Sequence, residues 1–271
     1  LQEIDMSQID YLLALSRVDE VNLVAAKSAY EMGAKKIICR LRNTEYSHRN
    51  AIITPEQFGI DYVVYPERAA QQEIENLIRQ PSAVDLQEFK GGEINMVGIQ
   101  LDSSSPLIGR NIINVEHSNP YVPHKLVLLI REGESIIPTN KMTFKSEDIT
   151  YFIGKKHDIP DIQRMAGKRA FKVKNVVILG AGKIGRLLAK SLETDYDVRI
   201  IESDHDKARK VGRSLSDTLI LDADGLDIDF LTSENIGDTD CFIAATENEQ
   251  TNILASLLVK HYGVKQVILH I

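Results

Sequence analysis

Gly180, Gly182 and Gly185 stand in the run Gly180-Ala181-Gly182-Lys183-Ile184-Gly185, and Glu202 follows 22 residues after the first of them. That spacing has a specific chemistry. The first glycine permits a tight turn, the second lets the main chain approach a pyrophosphate, and the third allows a helix to pack closely on a strand. Unpaired N–H groups at the helix start, aided by the aligned peptide dipoles, then favour the anion. A carboxylate at the position of Glu202 accepts from both ribose hydroxyls. It also repels a 2′-phosphate, so NAD(H) is expected over NADP(H), with Lys207 and Arg209 acting in the other direction.

Glycines at this spacing need a strand before them and a helix after them. Val176 to Leu179 is a four-residue apolar run suited to a buried parallel strand, and Arg186 to Leu192 is amphipathic with a helical period. A second strand, Val198 to Ile201, ends at Glu202, and a third, Thr218 to Leu221, leads into Asp222 and Ala223. After a fourth, Cys241 to Ala245, come Thr246 and Glu247. All these ends share one sheet edge, where open α/β sheets bind ligands. Thr246 has two compatible roles, facing the nucleotide and capping the next helix. Asp222, Asp224, Asp227 and Asp229 read as a polar loop with a helix cap rather than a metal cluster.

The chain also matches itself at an offset of 230 residues. Residues 1–41 align without a gap on 231–271, with eight identities that include Asp10/Asp240, Asn22/Asn252, Gly33/Gly263 and Lys35/Lys265. Strand, turn and helix patterns fall in register along the whole match. One domain type therefore occurs twice, and the first copy lacks a counterpart of residues 173–230, which predicts a piece of a longer protein. In the first copy the matching edge holds Ser16 and Arg17. Arg40, at the end of the next strand, is open to two readings: a contact to a phosphate or neighbouring subunit, or a plain surface arginine. Its counterpart His270 lacks the permanent forked charge, so the two edges need not bind alike.

Composition fits this organisation. With 271 residues, 43% of them hydrophobic and 26% charged, the chain is large enough for two or three cores. A net charge of −7 argues against a nucleic-acid surface, and the short basic run Lys168, Arg169, Lys172, Lys174 reads as a solvated linker. Cys39 and Cys241 lie in apolar strand patterns without metal spacing and read as buried spectators. Between the copies, Asp61 to Val64 fits a sixth strand of the first sheet and Pro66 to Arg79 a helix crossing away from it. Strands are expected at Glu93–Leu101, Leu126–Arg131 and Ile149–Ile153, and a short helix at Pro106–Val115. His117 and His124, flanking Pro120 and Pro123, read as exposed loop residues. This small α+β module offers no nucleophile beside a base.

The runs VVILGAGKIGRLLAKSLE with RIIESD, FIAATENEQTNILASLLVKHYGVKQVI, YLLALSRVDEVNLVAAKSAYEMGAKKIICRLRNTEY and INMVGIQLDSSSPLIGRNI, in this order, resemble the tandem members of the RCK (KTN) family that regulate potassium uptake. The resemblance implies Rossmann-like doubly wound parallel sheets, partial at each end of the chain, flanking an α+β module. Expected boundaries are 1–83, 84–157, a linker over 158–172, and 173–271. It also implies NAD(H), with ATP or ADP as further ligands, at Gly180, Ala181, Gly182, Lys183, Ile184 and Glu202, with Thr246 and Glu247 in the second copy and Ser16, Arg17 and Arg40 in the first. The implied partners are a potassium-translocating membrane subunit and other copies of the protein, in dimers or tetrameric rings at the inner face of the plasma membrane. No catalytic residue is implied; the alternative reading is an NAD-dependent oxidoreductase.

Overall fold

The computed structural model describes residues 5–47, 51–118, 122–168 and 171–271. Arg169 and Pro120 lie outside these. Internal contacts divide the chain into two compact units, Leu1–Gln72 and Glu73–Ile271.

The first unit carries β1 (Leu12–Ala14), α1 (Asp19–Glu31), β2 (Ile37–Arg40) and β3 (Tyr62–Val64). The strands are parallel in the order β1-β2-β3, with Leu12 opposite Ile37 and Ile38 opposite Tyr62. Leu23, Ala26 and Ala29 of α1 recur at helical spacing and pack with Ile37, Cys39 and Leu41 in one core. A helix α2 (Pro66–Arg79) follows, with the bounds its pattern predicts, and it begins in the first unit and ends in the second.

In the second unit an antiparallel sheet is built from β4 (Asp85–Phe89), β5 (Ile94–Gln100), β6 (His124–Arg131), β7 (Glu134–Ile136) and β8 (Ile149–Lys155), in the order β4-β5-β8-β6-β7. Three expectations need correction here. The helix placed at Pro106–Val115 is α3 (Ile112–Ser118), because Pro106 and the left-handed Gly109 (φ +76°) hold the preceding segment in turns. Residues 158–172 are not only a linker: α4 (Ile159–Met165) buries Ile159 and Ile162, and Ala166 just after it, in the same core as Phe144 and Phe152. His124 is no exposed loop residue. It opens β6, its Nδ1 donates to the Val122 carbonyl at 2.6 Å, and its ring meets the edge of Phe152. His117 falls on α3.

The remainder of this unit is a doubly wound sheet of β9 (Asn175–Leu179), α5 (Lys183–Leu192), β10 (Asp197–Glu202), α6 (His205–Gly212), β11 (Thr218–Asp222), α7 (Ile228–Ser233), β12 (Cys241–Ala244), α8 (Glu249–His261) and β13 (Gln266–Leu269). The order β11-β10-β9-β12-β13 is parallel throughout. The central strand β9 is apolar at successive positions because both its faces are covered. Val176 and Ile178 join one core with Leu188 of α5, while Val177 and Leu179 join another with Ala255 and Val259 of α8. Ile74, Leu77 and Ile78 of α2 extend the first of these cores.

Candidate functional site

The strand order reverses between β9 and β12, and the chain leaves β9 there through the glycine turn. Gly180 sits at φ +102°, and its N–H donates to the Ile201 carbonyl at 2.8 Å. A Cβ on it would lie 3.0 Å from both the main chain and the methyl of Thr246, so the turn is fitted against the end of β12. At Gly185 a Cβ would lie 2.0 Å from the Gly180 carbonyl oxygen, which is how closely α5 rests on the turn. Gly182 differs. A Cβ there would meet only the Ala245 carbonyl, at 3.9 Å, and this open side of the loop has room for a ligand.

Gly182 is the residue before α5, and the first helical bond runs from the Arg186 N–H to its carbonyl. The N–H groups of Ile184 and Gly185 therefore have no partner inside the helix, and Gly182 has no side chain with which to cap them. Ile184 packs against the core below, while Ala181 is buried at 2% exposure. This arrangement is a candidate main-chain seat for phosphate.

Glu202 is 8% exposed and faces this turn. One carboxylate oxygen accepts from the Ala181 N–H at 2.8 Å and the other from the Asp204 N–H at 2.9 Å. These bonds fix the carboxylate beside the phosphate seat and leave lone pairs for hydroxyl donors. Next along the edge, Asp222 is in register with Glu202, and the Ala223 N–H donates to the Glu202 carbonyl at 3.1 Å. Asp222 is exposed, and its carboxylate contacts Nδ1 of His205. The aspartates beyond it behave as a capped loop: Asp227 accepts from the N–H groups of Asp229 and Phe230 at the start of α7. Among the described residues no group of His, Cys, Asp and Glu could hold a metal.

Thr246 does not cap α8 with its hydroxyl, as one of its two expected roles required; Asn248 does, accepting from the Thr251 N–H at 2.9 Å. The Thr246 hydroxyl instead donates to Asn252 Oδ1 at 2.6 Å and accepts from the Asn248 N–H. Asn252, 1% exposed, ties two strand ends together, since its Nδ2 donates to the carbonyls of Thr246 and His270, both at 3.0 Å. Asn22 repeats this in the first unit, donating to the carbonyls of Ser16 and Arg40 at 2.9 Å and accepting from the Ser16 N–H at 2.7 Å. Sequence reasoning registered both asparagines as identities without giving them work. A polar residue at a buried helical position was the signal. Ser16 and Arg40 are thus brought to one edge, with Arg40 Nε buried and unpartnered, while Arg17 and Glu247 are exposed.

The two thiols are inert. Burial pushes Cys39 up to about 11 and Cys241 up to about 12, so neither supplies a thiolate near neutrality. A cavity of about 600 Å³ opens at the opposite edge of the second sheet, lined by Ile78, Arg79, Phe171, Lys172 and Tyr196. It lies before β9 and β10 rather than after them, away from the phosphate seat.

Comparison with known proteins places this geometry in a family. A family model described as the TrkA-N domain matches residues 1–66 and 176–271. The Trk system potassium uptake protein TrkA of Vibrio alginolyticus is 28% identical over 269 residues, covering 98% of this chain and 59% of that protein. A TrkA homolog of Archaeoglobus fulgidus is 31% identical over 268 residues, covering 98% and 60%. The chain thus spans about 60% of the length of these relatives. Among solved structures, the GsuK channel aligns with a TM-score of 0.62 at 15% identity, over 95% of this chain and 48% of that one. The GsuK channel bound to NAD gives 0.61 at 16%, over 93% and 43%. At such identities they support the fold alone, that of RCK domains. With both Rossmann copies matched, this chain belongs to the TrkA-N domain family.

Proposed function

We propose that the chain is the nucleotide-sensing part of a regulatory subunit of a Trk-type potassium uptake system, binding NAD(H) at the crevice between β9 and β12. The open start of α5 beside the buried carboxylate of Glu202 carries this reading. The N–H groups of Lys183 and Ile184 would hold the phosphates, Glu202 the ribose hydroxyls, and Thr246 and Glu247 would lie at the far side of the crevice. ATP and ADP present the same phosphate and ribose groups and belong in the same test. In the first unit, Ser16, Arg17 and Arg40 would form the corresponding edge.

Regulation needs no bond-making. A nucleotide that contacts two domain arrangements differently shifts their populations, and a coupling of about 1–3 kcal/mol, the usual allosteric range, changes an opening equilibrium about 5- to 150-fold. The partners on this reading are a potassium-translocating membrane subunit and further copies of the protein in a dimer or tetrameric ring, at the cytoplasmic face of the membrane. No helix among the described residues is long and apolar enough to cross a membrane. The relatives carry potassium-uptake names, and one neighbour of the same fold was solved with NAD.

Titration calorimetry of the full-length protein with NADH, NAD+, ADP and ATP tests the reading. Saturable binding that Glu202→Ala weakens about tenfold or more, with a nucleotide-dependent change in solution scattering and in ion flux through the membrane partner, is the expected result. Undiminished affinity in the variant, or flux indifferent to nucleotide, would refute it.

A further inference from the structure

Along the C-terminal edge of the second sheet the sites follow the strand order: phosphate seat at the end of β9, ribose carboxylate at the end of β10, and Asp222 at the end of β11. Whatever extends from the ribose away from the phosphates therefore passes over β11. Asp222 is the acceptor waiting there, and His205 already holds it: Nδ1 of the first residue of α6 contacts Oδ2 of the last residue of β11. Asp204 fixes the geometry by capping α6 through the Lys207 N–H at 3.0 Å while its own N–H is bound by Glu202. The ribose carboxylate and the imidazole are thus two residues of one short, tied loop.

Resting on the nucleotide reading above, we propose that His205 is a specificity-determining residue of that site, a proton-dependent clasp on Asp222 that an adenine base must open to donate its amino group to the carboxylate. The charges around the imidazole favour its protonated form. Asp222 faces it from β11, and Asp206 and Asp204 add to this from α6 and its cap, so the ring is held above its usual 6.5. Lys207 and Lys210 act on Asp204. The start of α6 is the wrong end of a helix for a cation and opposes protonation, so the clasp depends on Asp222.

The sign of the effect follows from linkage. A base that takes Asp222 from His205 lowers the imidazole's proton affinity, so binding releases a proton and affinity rises with pH through the neutral range, levelling off above the clasp's own titration. Its side chains are 74% and 44% exposed, so the effect is a moderate one in affinity. The tests use the full-length protein. NMR titration without nucleotide should show the His205 ring titrating lower in Asp222→Asn. Calorimetry with ADP in buffers of different ionisation enthalpy should show net proton release near pH 7, affinity rising several-fold from pH 6 to 8, and a flat profile in His205→Asn. No change in the His205 titration, or the same pH profile in both proteins, overturns the clasp. Proton uptake on binding overturns it too, since the imidazolium would then contact the ligand's phosphates. ADP that fails to bind at any pH sinks the nucleotide reading, whereas the ring titration is independent of that failure.

Discussion

The two copies of the repeated segment, residues 10–41 and 240–271, share a framework and differ in what surrounds it. α1 and α8 begin and end at positions 230 apart, Asp19–Glu31 against Glu249–His261. Asn22 and Asn252 each bind the carbonyl two residues beyond one strand and a carbonyl at or just past the end of the next. Even the turn hydroxyls agree: Ser16 Oγ accepts from the Val18 N–H at 3.3 Å and Thr246 Oγ1 from the Asn248 N–H at 3.1 Å. The environments part at β1 and β12. Leu13 is 57% exposed where its counterpart Ile243 is fully buried, because β12 lies between β9 and β13 whereas, among the described residues, β1 pairs with β2 alone. A backbone framework kept by local hydrogen bonds is thus separable from the apolar burial that surrounds it.

The largest expected effect on ligand binding breaks the second copy at its glycine turn. Gly185→Ala would press a methyl to 2.0 Å from the Gly180 carbonyl oxygen, a backbone atom that can move only with the turn. Overpacking of this kind costs about 1–3 kcal/mol or more. It should also displace the first turn of α5 from the ligand. Hydrogen exchange should show protection lost in β9 and α5 and kept in α1, with nucleotide affinity falling at least tenfold. Equal loss in both units would contradict the separation described above.

Next come the asparagines. Asn252 takes part in four hydrogen bonds, two of them with carbonyls and one with a hydroxyl, whereas Asn22 makes three. Each is 1% exposed. Replacement by Ala leaves buried partners unpaired, at about 1 kcal/mol for each bond lost. Asn252→Ala should therefore cost about 3–4 kcal/mol and Asn22→Ala somewhat less, read from unit-resolved exchange, since a two-unit chain need not unfold in one step. A larger loss at Asn22 would mean that the first copy depends on this tie more than its exposed surroundings suggest.

How much of this was readable beforehand depends on the range of the interactions involved. The glycine turn, the ends of α2 and the duplication are local or periodic, so residues 180–185, 66–79 and the offset of 230 carried them openly. β4 was missed because Asp85–Phe89, DLQEF, buries only Leu86 and looks like loop. α4 reads as linker in the sequence because its apolar positions, Ile159 and Ile162, acquire meaning only from the module core they enter. At the site, Glu202 was legible from its spacing, but its bonds to Ala181 and Asp204, and the His205–Asp222 contact, join residues whose approach depends on the twist and register of neighbouring strands. Thr246 was misassigned in one role because Asn248, two residues on, has the shorter reach to the helix start.

A charge pair sharpens the comparison further. Lys35 reaches Asp10 and Lys265 reaches Asp240, both at 2.7 Å, yet the aspartate side chains are 73% and 8% exposed. Asp240 also accepts from the N–H groups of Lys174 and Asn175 at the entry to β9. Burial alone would raise its carboxyl, but Lys265 and these two donors outweigh that and hold it below its ordinary 3.8. A lowered carboxylate contributes stability above 3.8 that is lost as pH falls through the folded value. Asp240→Asn should accordingly weaken the second unit at pH 6 by about 1–2 kcal/mol and flatten its loss of stability as pH falls below 3.8. Asp10→Asn should have no measurable effect on the first unit, since both side chains of its pair are largely exposed to solvent.

The smallest effect expected is one on which the copies should agree. Gly33 and Gly263 end α1 and α8 in the left-handed region, at φ +88° and +98°. Each helix closes in the same way: the Ala34 N–H donates to the Ala29 carbonyl at 3.0 Å and the Val264 N–H to the Val259 carbonyl at 3.2 Å. A Cβ at Gly33 would only touch Ser7, at 3.6 Å, and one at Gly263 would meet nothing within 4 Å, so neither substitution clashes. The cost of Ala is then the conformational one, about 1 kcal/mol at each position. Asn, which tolerates this region better, should recover part of it in both copies. Measured losses that differ by more than about 0.5 kcal/mol would show that the surroundings reach even these helix ends, because φ alone predicts no difference.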